Sequence, residues 1–141
     1  MKQILILTLL ALLGLSNVQA QMKNHALMHA NPMPNLVRVA MKNADSLNIT
    51  KEQKQEIKAW SEANKPKMKE LIKLVMTEER MLRKEALTAD EDVVAKAQTM
   101  LDARKEIIVV KTQCRKNLQR ILNEKQYKHL VKLYRTLHKK K

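Results

Sequence analysis

The residues best suited to chemistry in this 141-residue chain lie close to its start. Met22, His25, Met28, His29 and Met33 are near enough to one another to wrap a single ion. Thioether and imidazole donors together favour Cu(I) or Cu(II), and the histidines alone would accept zinc. Their spacing is irregular and does not match a structural zinc site, so the competing reading is an oxidisable leader with no metal. Pro32 and Pro34 block a regular helix there, and residues 21–35 read as a mobile Met/His-rich arm. His129 and His138 stand nine residues apart on one predicted helix and so on different faces, which makes a joint site of them a poor fit.

Cys114 is the single cysteine and cannot form an internal disulfide. At helical spacing it shares a face with Ile107, Leu118 and Ile121, which describes a buried thiol with little thiolate character; an intermolecular bridge is the alternative. Nothing else has the form of a catalytic centre. There is no nucleophile elbow and no repeated Asp/Glu/His cluster, and acids such as Glu78 and Glu79 precede Arg83 as helical salt-bridge partners do. The only glycine is Gly14, so no phosphate-cradling loop is present. The chain therefore reads as a non-enzyme that requires no cofactor, with copper or zinc as the ion the arm could take.

Residues 1–20 have the pattern of a secretory signal. Met1 and Lys2 give a positive start, Ile4 to Leu15 an uncharged apolar run, and Val18-Gln19-Ala20 a cleavage site before Gln21. A dozen apolar residues fall short of the ~20 needed to span a bilayer. Export to the periplasm is the expectation. Removing this segment takes away Lys2 and no acid, so the formal charge falls only from +14 to +13.

The remainder must position whatever these residues do, and its composition points to helices. It has one Trp, two Tyr and no Phe, and nine Met occur in the whole chain. Thr50 followed by Gln53 is a capping box, so a helix should begin at Lys51. Ile57, Trp60, Met68, Leu71, Ile72, Val75, Leu82 and Ala86 then recur at three- and four-residue steps, extending one helix towards Leu87. Pro66 should kink or divide it. Thr88 to Glu91 repeats the cap, predicting a third helix whose stripe runs through Val94, Ala97, Leu101 and Ile108 and drifts to Cys114, Leu118 and Ile121. Asn123 with Gln126 caps a last helix through Tyr127, Leu130, Val131, Tyr134 and Leu137, and a short helix from about Leu36 to Asp45 precedes them all. The expected fold is all-α, with four helices, a long antiparallel hairpin and a single domain over residues 36–141.

Two of the caps share a longer pattern. Ile49-Thr50-Lys51-Glu52-Gln53 and Leu122-Asn123-Glu124-Lys125-Gln126 both read aliphatic, cap, any, any, glutamine. This resembles the paired LTxxQ signature of the Spy/CpxP family of periplasmic stress proteins, which includes zinc-associated members of the ZraP type. The likeness extends from about Leu47 to Leu133. Ile49 stands for the first leucine and Asn123 for the second threonine, each keeping the physical role, whereas Pro66 and Cys114 are not part of the signature. The resemblance implies a thin, cradle-shaped, intertwined antiparallel homodimer. It also implies ATP-independent holding of unfolded or misfolded envelope proteins, or restraint of a sensor kinase.

Two functions follow. A basic surface with scattered Met, Leu and Ile would attract and hold unfolded chains, which is chaperone work in an envelope stress response. Metal binding or sensing through the arm is the alternative. Spread basic residues without interleaved aromatics, on an exported chain, exclude nucleic acid as a natural partner, while Lys139-Lys140-Lys141 leave peripheral contact with anionic lipid open.

Overall fold

A computed structural model describes residues 30–88 and 92–138. The predicted signal segment, the arm residues Met22, His25, Met28 and His29, the Ala89–Glu91 part of the expected third cap, and Lys139-Lys140-Lys141 lie outside them. Among the described residues the fold is all-helical, with no strand. Its elements are α1 (Leu36–Lys42), α2 (Lys51–Glu85), α3 (Val93–Lys96), α4 (Gln98–Ile121) and α5 (Glu124–His138). No helix among them is long and apolar enough to cross a membrane.

The caps explain most of these boundaries. The Asn35 side chain accepts the Arg38 amide to start α1. After α1 the chain turns until Asn48, which takes a left-handed conformation at φ 50°. There the Ile49 amide reaches back to the Ala44 carbonyl at 2.9 Å and the Asn48 amide to Asp45 at 3.0 Å, the paired bonds that close a helical turn. Thr50 then opens α2 as expected, and Ala86 ends it.

Three expectations need correction. Pro66 does not divide α2, which runs unbroken for 35 residues. The proline deprives the Glu62 carbonyl of its amide, but both residues are exposed, so water can satisfy that carbonyl, and packing against α4 on either side keeps the helix together. The third helix does not begin at the Thr88 cap. Its cap is Asp92, whose carboxylate accepts from the Val94 and Ala95 amides, while Thr88 lies in a turn and its hydroxyl donates to the Lys84 carbonyl. That helix is also interrupted at Ala97, whose amide is shared between the Val93 and Val94 carbonyls, so the described residues from Leu36 on form five helices where four were expected.

α2 and α4 form the long antiparallel pair. Their seam buries Ile57, Ile72 and Val75 against Ala103, Ile107, Val110, Cys114 and Leu118. The expected stripe through Val94, Leu101 and Ile108 is instead exposed, at 75%, 46% and 44%. Ala103, Ile107, Val110, Cys114, Leu118 and Ile121 keep a single continuous three-and-four spacing, so no drift between faces is required. At one end of the pair α1 and α5 add a second layer. Leu36, Val39, Ala40, Leu47, Ile49 and Leu130 join Ile57, Cys114, Leu118, Ile121 and Leu122 in the main core, flanked by Trp60, Tyr127 and Tyr134.

Replacing Pro66 with Ala restores the missing helical hydrogen bond and should raise unfolding free energy by about 1–3 kcal/mol. Urea denaturation checks this through a higher midpoint at unchanged slope. A lower midpoint would show that Pro66 supports a bend the packing needs.

Candidate functional site

The six residues of the two repeated motifs converge, although 73 positions separate their glutamines. Each motif first caps its own helix. The Gln53 amide donates to the Thr50 hydroxyl at 3.2 Å, and the Thr50 amide returns to Gln53 Oε1 at 3.0 Å. In the second motif the Gln126 amide donates to Asn123 Oδ1 and the Asn123 amide to Gln126 Oε1, both at 2.9 Å.

The two glutamines then bond one another. Gln53 Nε2 donates to Gln126 Oε1, and Gln126 Nε2 to Gln53 Oε1, each at 3.0 Å. The second proton of each amide goes to the backbone of the opposite motif: Gln53 Nε2 to the Ile121 carbonyl at 2.8 Å, and Gln126 Nε2 to the Asn48 carbonyl at 2.7 Å. Asn48 and Ile121 each precede the aliphatic residue of their own motif, so the bond pattern has a local two-fold symmetry. Both amides thereby fill all four of their hydrogen-bonding positions. Ile49 and Leu122, the aliphatic motif positions, are buried beneath, with Ile57 and Leu130 four residues beyond each glutamine. Beside the first cap the exposed Glu52 carboxyl is held below its ordinary range, chiefly by its own backbone amide and then by the Thr50 hydroxyl.

This clasp joins two chain segments and leaves no reactive group free. Among the described residues no group of three or more His, Cys, Asp or Glu side chains could hold a metal ion. Met33, the one described member of the proposed metal arm, lines a shallow cleft with Pro34, Leu36, Lys111, Thr112, Cys114 and Arg115. Cys114 is a buried free thiol. Burial pushes its pKa up, and the neighbouring Lys111 ammonium opposes that shift; burial lowers the Lys111 pKa in turn. His138 stacks on Tyr134 and bonds the Tyr134 carbonyl through Nδ1, whereas His129 is exposed earlier on α5.

The larger feature is the α2–α4 arm, where each helix covers one stripe of the other and no more. Residues three and four apart share a helical face. Lys65, Lys69, Ile72, Met76, Glu79 and Arg83 therefore line one flank of α2, and Leu101, Arg104, Ile108, Lys111 and Arg115 one flank of α4. The Glu79–Arg104 ion pair joins these flanks into one side. The opposite side carries Lys67, Glu70, Leu74, Glu78, Met81 and Glu85 of α2 with Asp102, Glu106, Val109 and Gln113 of α4, tied by the Lys67–Glu106 pair and, nearer the clasp, Glu56–Arg120. The first side sets six cations against one anion. With Glu56–Arg120 and the Lys96 that pairs with Glu85, the second sets six anions against three cations. Both expose large apolar side chains, Met76, Leu101 and Ile108 on the basic side and Leu74, Met81 and Val109 on the acidic side.

Sequence reasoning found every motif side chain but not the carbonyls of Asn48 and Ile121, because a backbone acceptor carries no side-chain signal. It also missed the two sides. The heptad-like spacing 65, 69, 72, 76, 79, 83 against 67, 70, 74, 78, 81, 85, sorted by charge, contains them.

The model of a family described as "LTXXQ motif family protein" matches residues 37–134. No curated protein and no solved structure matches the chain.

Gln126→Ala removes two acceptor and two donor contacts at a buried position and should cost about 2–4 kcal/mol. Gln53→Ala should cost a similar amount, and the double variant at least ~1 kcal/mol less than the sum, because either change alone orphans the other amide. Urea melts of the four proteins measure this; strict additivity would mean the glutamines act only as separate caps. The Cys114 thiol should react with a maleimide at least ~10-fold more slowly in the folded than in the urea-unfolded protein.

Proposed function

Since the chain belongs to the LTXXQ motif family, the family that includes Spy/CpxP-like stress proteins, we propose that it is an ATP-independent periplasmic chaperone whose working surface is the basic side of the α2–α4 arm. The observation that carries this reading is the exposure of Met76, Leu101 and Ile108 among Lys65, Lys69, Arg83, Lys111 and Arg115 on two helices too thin to bury them. Cations draw an acidic unfolded chain from a distance. Flexible methionine and branched aliphatic side chains then give adaptable apolar contact without a fixed pocket. Such binding needs no nucleotide, because capture and release follow from the client's own folding, which withdraws apolar surface from the arm. The signal-like residues 1–20 support delivery to the periplasm, where ATP-driven chaperones have no fuel.

The test is suppression of aggregation of a denatured client, in chelator and without nucleotide, at ratios up to equimolar. The triple change Met76→Ser, Leu101→Ser, Ile108→Ser alters exposed positions only, so the fold should persist while the protein concentration needed for half suppression rises about 10-fold, equivalent to ~1.4 kcal/mol. Suppression should also weaken between low and high salt. If suppression instead requires added copper or zinc and is lost in His25→Ala/His29→Ala, the Met/His-rich arm carries the function and the chaperone reading falls.

A further inference from the structure

The cations of α5 fall on one face, and the proposed function uses none of them. Lys125, Lys128, Lys132 and Arg135 recur at steps of three, four and three, so they form a single stripe on a helix about 22 Å long at ~1.5 Å per residue. All four are exposed. The opposite face is already occupied: Gln126 and Leu130 are buried, and Tyr127, Leu133 and Tyr134 pack half-buried against the main core. Glu124 at the helix start pairs with Lys128, while among the described residues no ion pair engages Lys125, Lys132 or Arg135. Arg38 and Lys42, exposed one turn apart on α1, which packs on α5, add positive charge to the same end of the molecule. In the sequence no acid occurs after Glu124, and Lys139-Lys140-Lys141 follow the helix.

We infer that this face of α5 docks on the surface of a bilayer that contains anionic phospholipid. The chemistry of the face favours that occupant over a protein chain. Compact ammonium groups on flexible stems, about one per turn, match a diffuse sheet of phosphate charge and offer a polypeptide no apolar contact. The basic side of the arm differs, since Met76, Leu101 and Ile108 stand among its cations. On α5 the exposed large apolar residue is Leu137, next to the helix end. Because the core holds the apolar face of α5, the helix cannot turn that face into the acyl region, and contact stays at the headgroups. Docking is therefore peripheral, salt-sensitive and graded by the number of cations. A consequence rests on the proposed function: docking through α5 uses no residue of the client surface, so the chaperone can hold a client while it stays beside the membrane.

Co-sedimentation with vesicles tests this on the chain from Gln21 on, because the apolar run before it would bind lipid by itself. At low salt the protein should sediment with vesicles of phosphatidylcholine mixed with phosphatidylglycerol, stay in solution with phosphatidylcholine alone, and be released in molar salt. Lys125→Glu with Lys132→Glu should weaken binding to the mixed vesicles at least ~10-fold. Lys65→Glu with Lys69→Glu makes the same change of net charge on the arm and should weaken it less than ~3-fold. Circular dichroism and melting establish that both variants are folded. Equal losses in the two variants would make net charge, and not the α5 face, the cause of binding and overturn the proposal. Binding to neutral vesicles, or binding that survives molar salt, overturns it as well. Client capture is separated by the aggregation assay without lipid, where Lys125→Glu/Lys132→Glu should suppress as well as the unchanged protein. If that variant loses suppression while its vesicle binding is unaltered, the face serves unfolded chains and the lipid contact falls. If vesicle binding behaves as stated but the unchanged protein suppresses no aggregation, the membrane contact stands without the chaperone reading.

Discussion

Two glutamine side chains bonded to each other hold the two halves of the chain in register. Gln53 and Gln126 each cap a helix start, and a cap alone would leave those starts independent. The exchange of Nε2 protons across the motifs, and onto the Asn48 and Ile121 carbonyls, makes the start of α2, the end of α4 and the start of α5 one unit. Buried amides are costly unless satisfied, so the geometry tolerates little slippage. A one-residue shift of α4 against α2 would break four bonds between the motifs and move Ile107 and Cys114 off the seam.

With the register fixed at one end, the rest of the hairpin extends away from the place where, among the described residues, helices stack in two layers. The clasped end buries Leu36, Val39, Leu47, Leu118 and Leu130 and behaves as an ordinary core. Beyond it, among the described residues, α2 packs on α4 and, at its far end, on the short α3. A helix pair can hide one stripe per helix, and the sequence supplies apolar residues for three. Exposed Met76, Leu101, Ile108, Leu74, Met81 and Val109 are thus a direct result of the architecture. The charges beside them divide by side, so two otherwise similar surfaces differ in their balance of charge.

Local signals were legible in the sequence and distant ones were not. The caps at Thr50 and Asn123 need only residues three apart, and both helix starts follow from them. Cys114 is buried on the Ile107, Leu118 and Ile121 face as its spacing indicates. The early part of α4 misleads, because Leu101 and Ile108 are larger than Ala103 and Val110, and size suggests the wrong stripe; the seam there takes the smaller residues so that the helices approach closely. Pro66 misleads in the opposite direction, since a rule about isolated helices takes no account of a partner that holds both flanks. The pairing of Gln53 with Gln126 could be expected only from the likeness between the motifs, and the bonds to Asn48 and Ile121 could not be expected at all.

The clasp contains no ionised group. Amide, hydroxyl and carbonyl partners keep their strength across wide ranges of acidity and ionic strength, whereas both sides of the arm depend on exposed charge that such changes would screen or neutralise. The molecule thus separates its architecture from its surface electrostatics: its surroundings can alter the charge the arm presents while the frame that displays it stays shut.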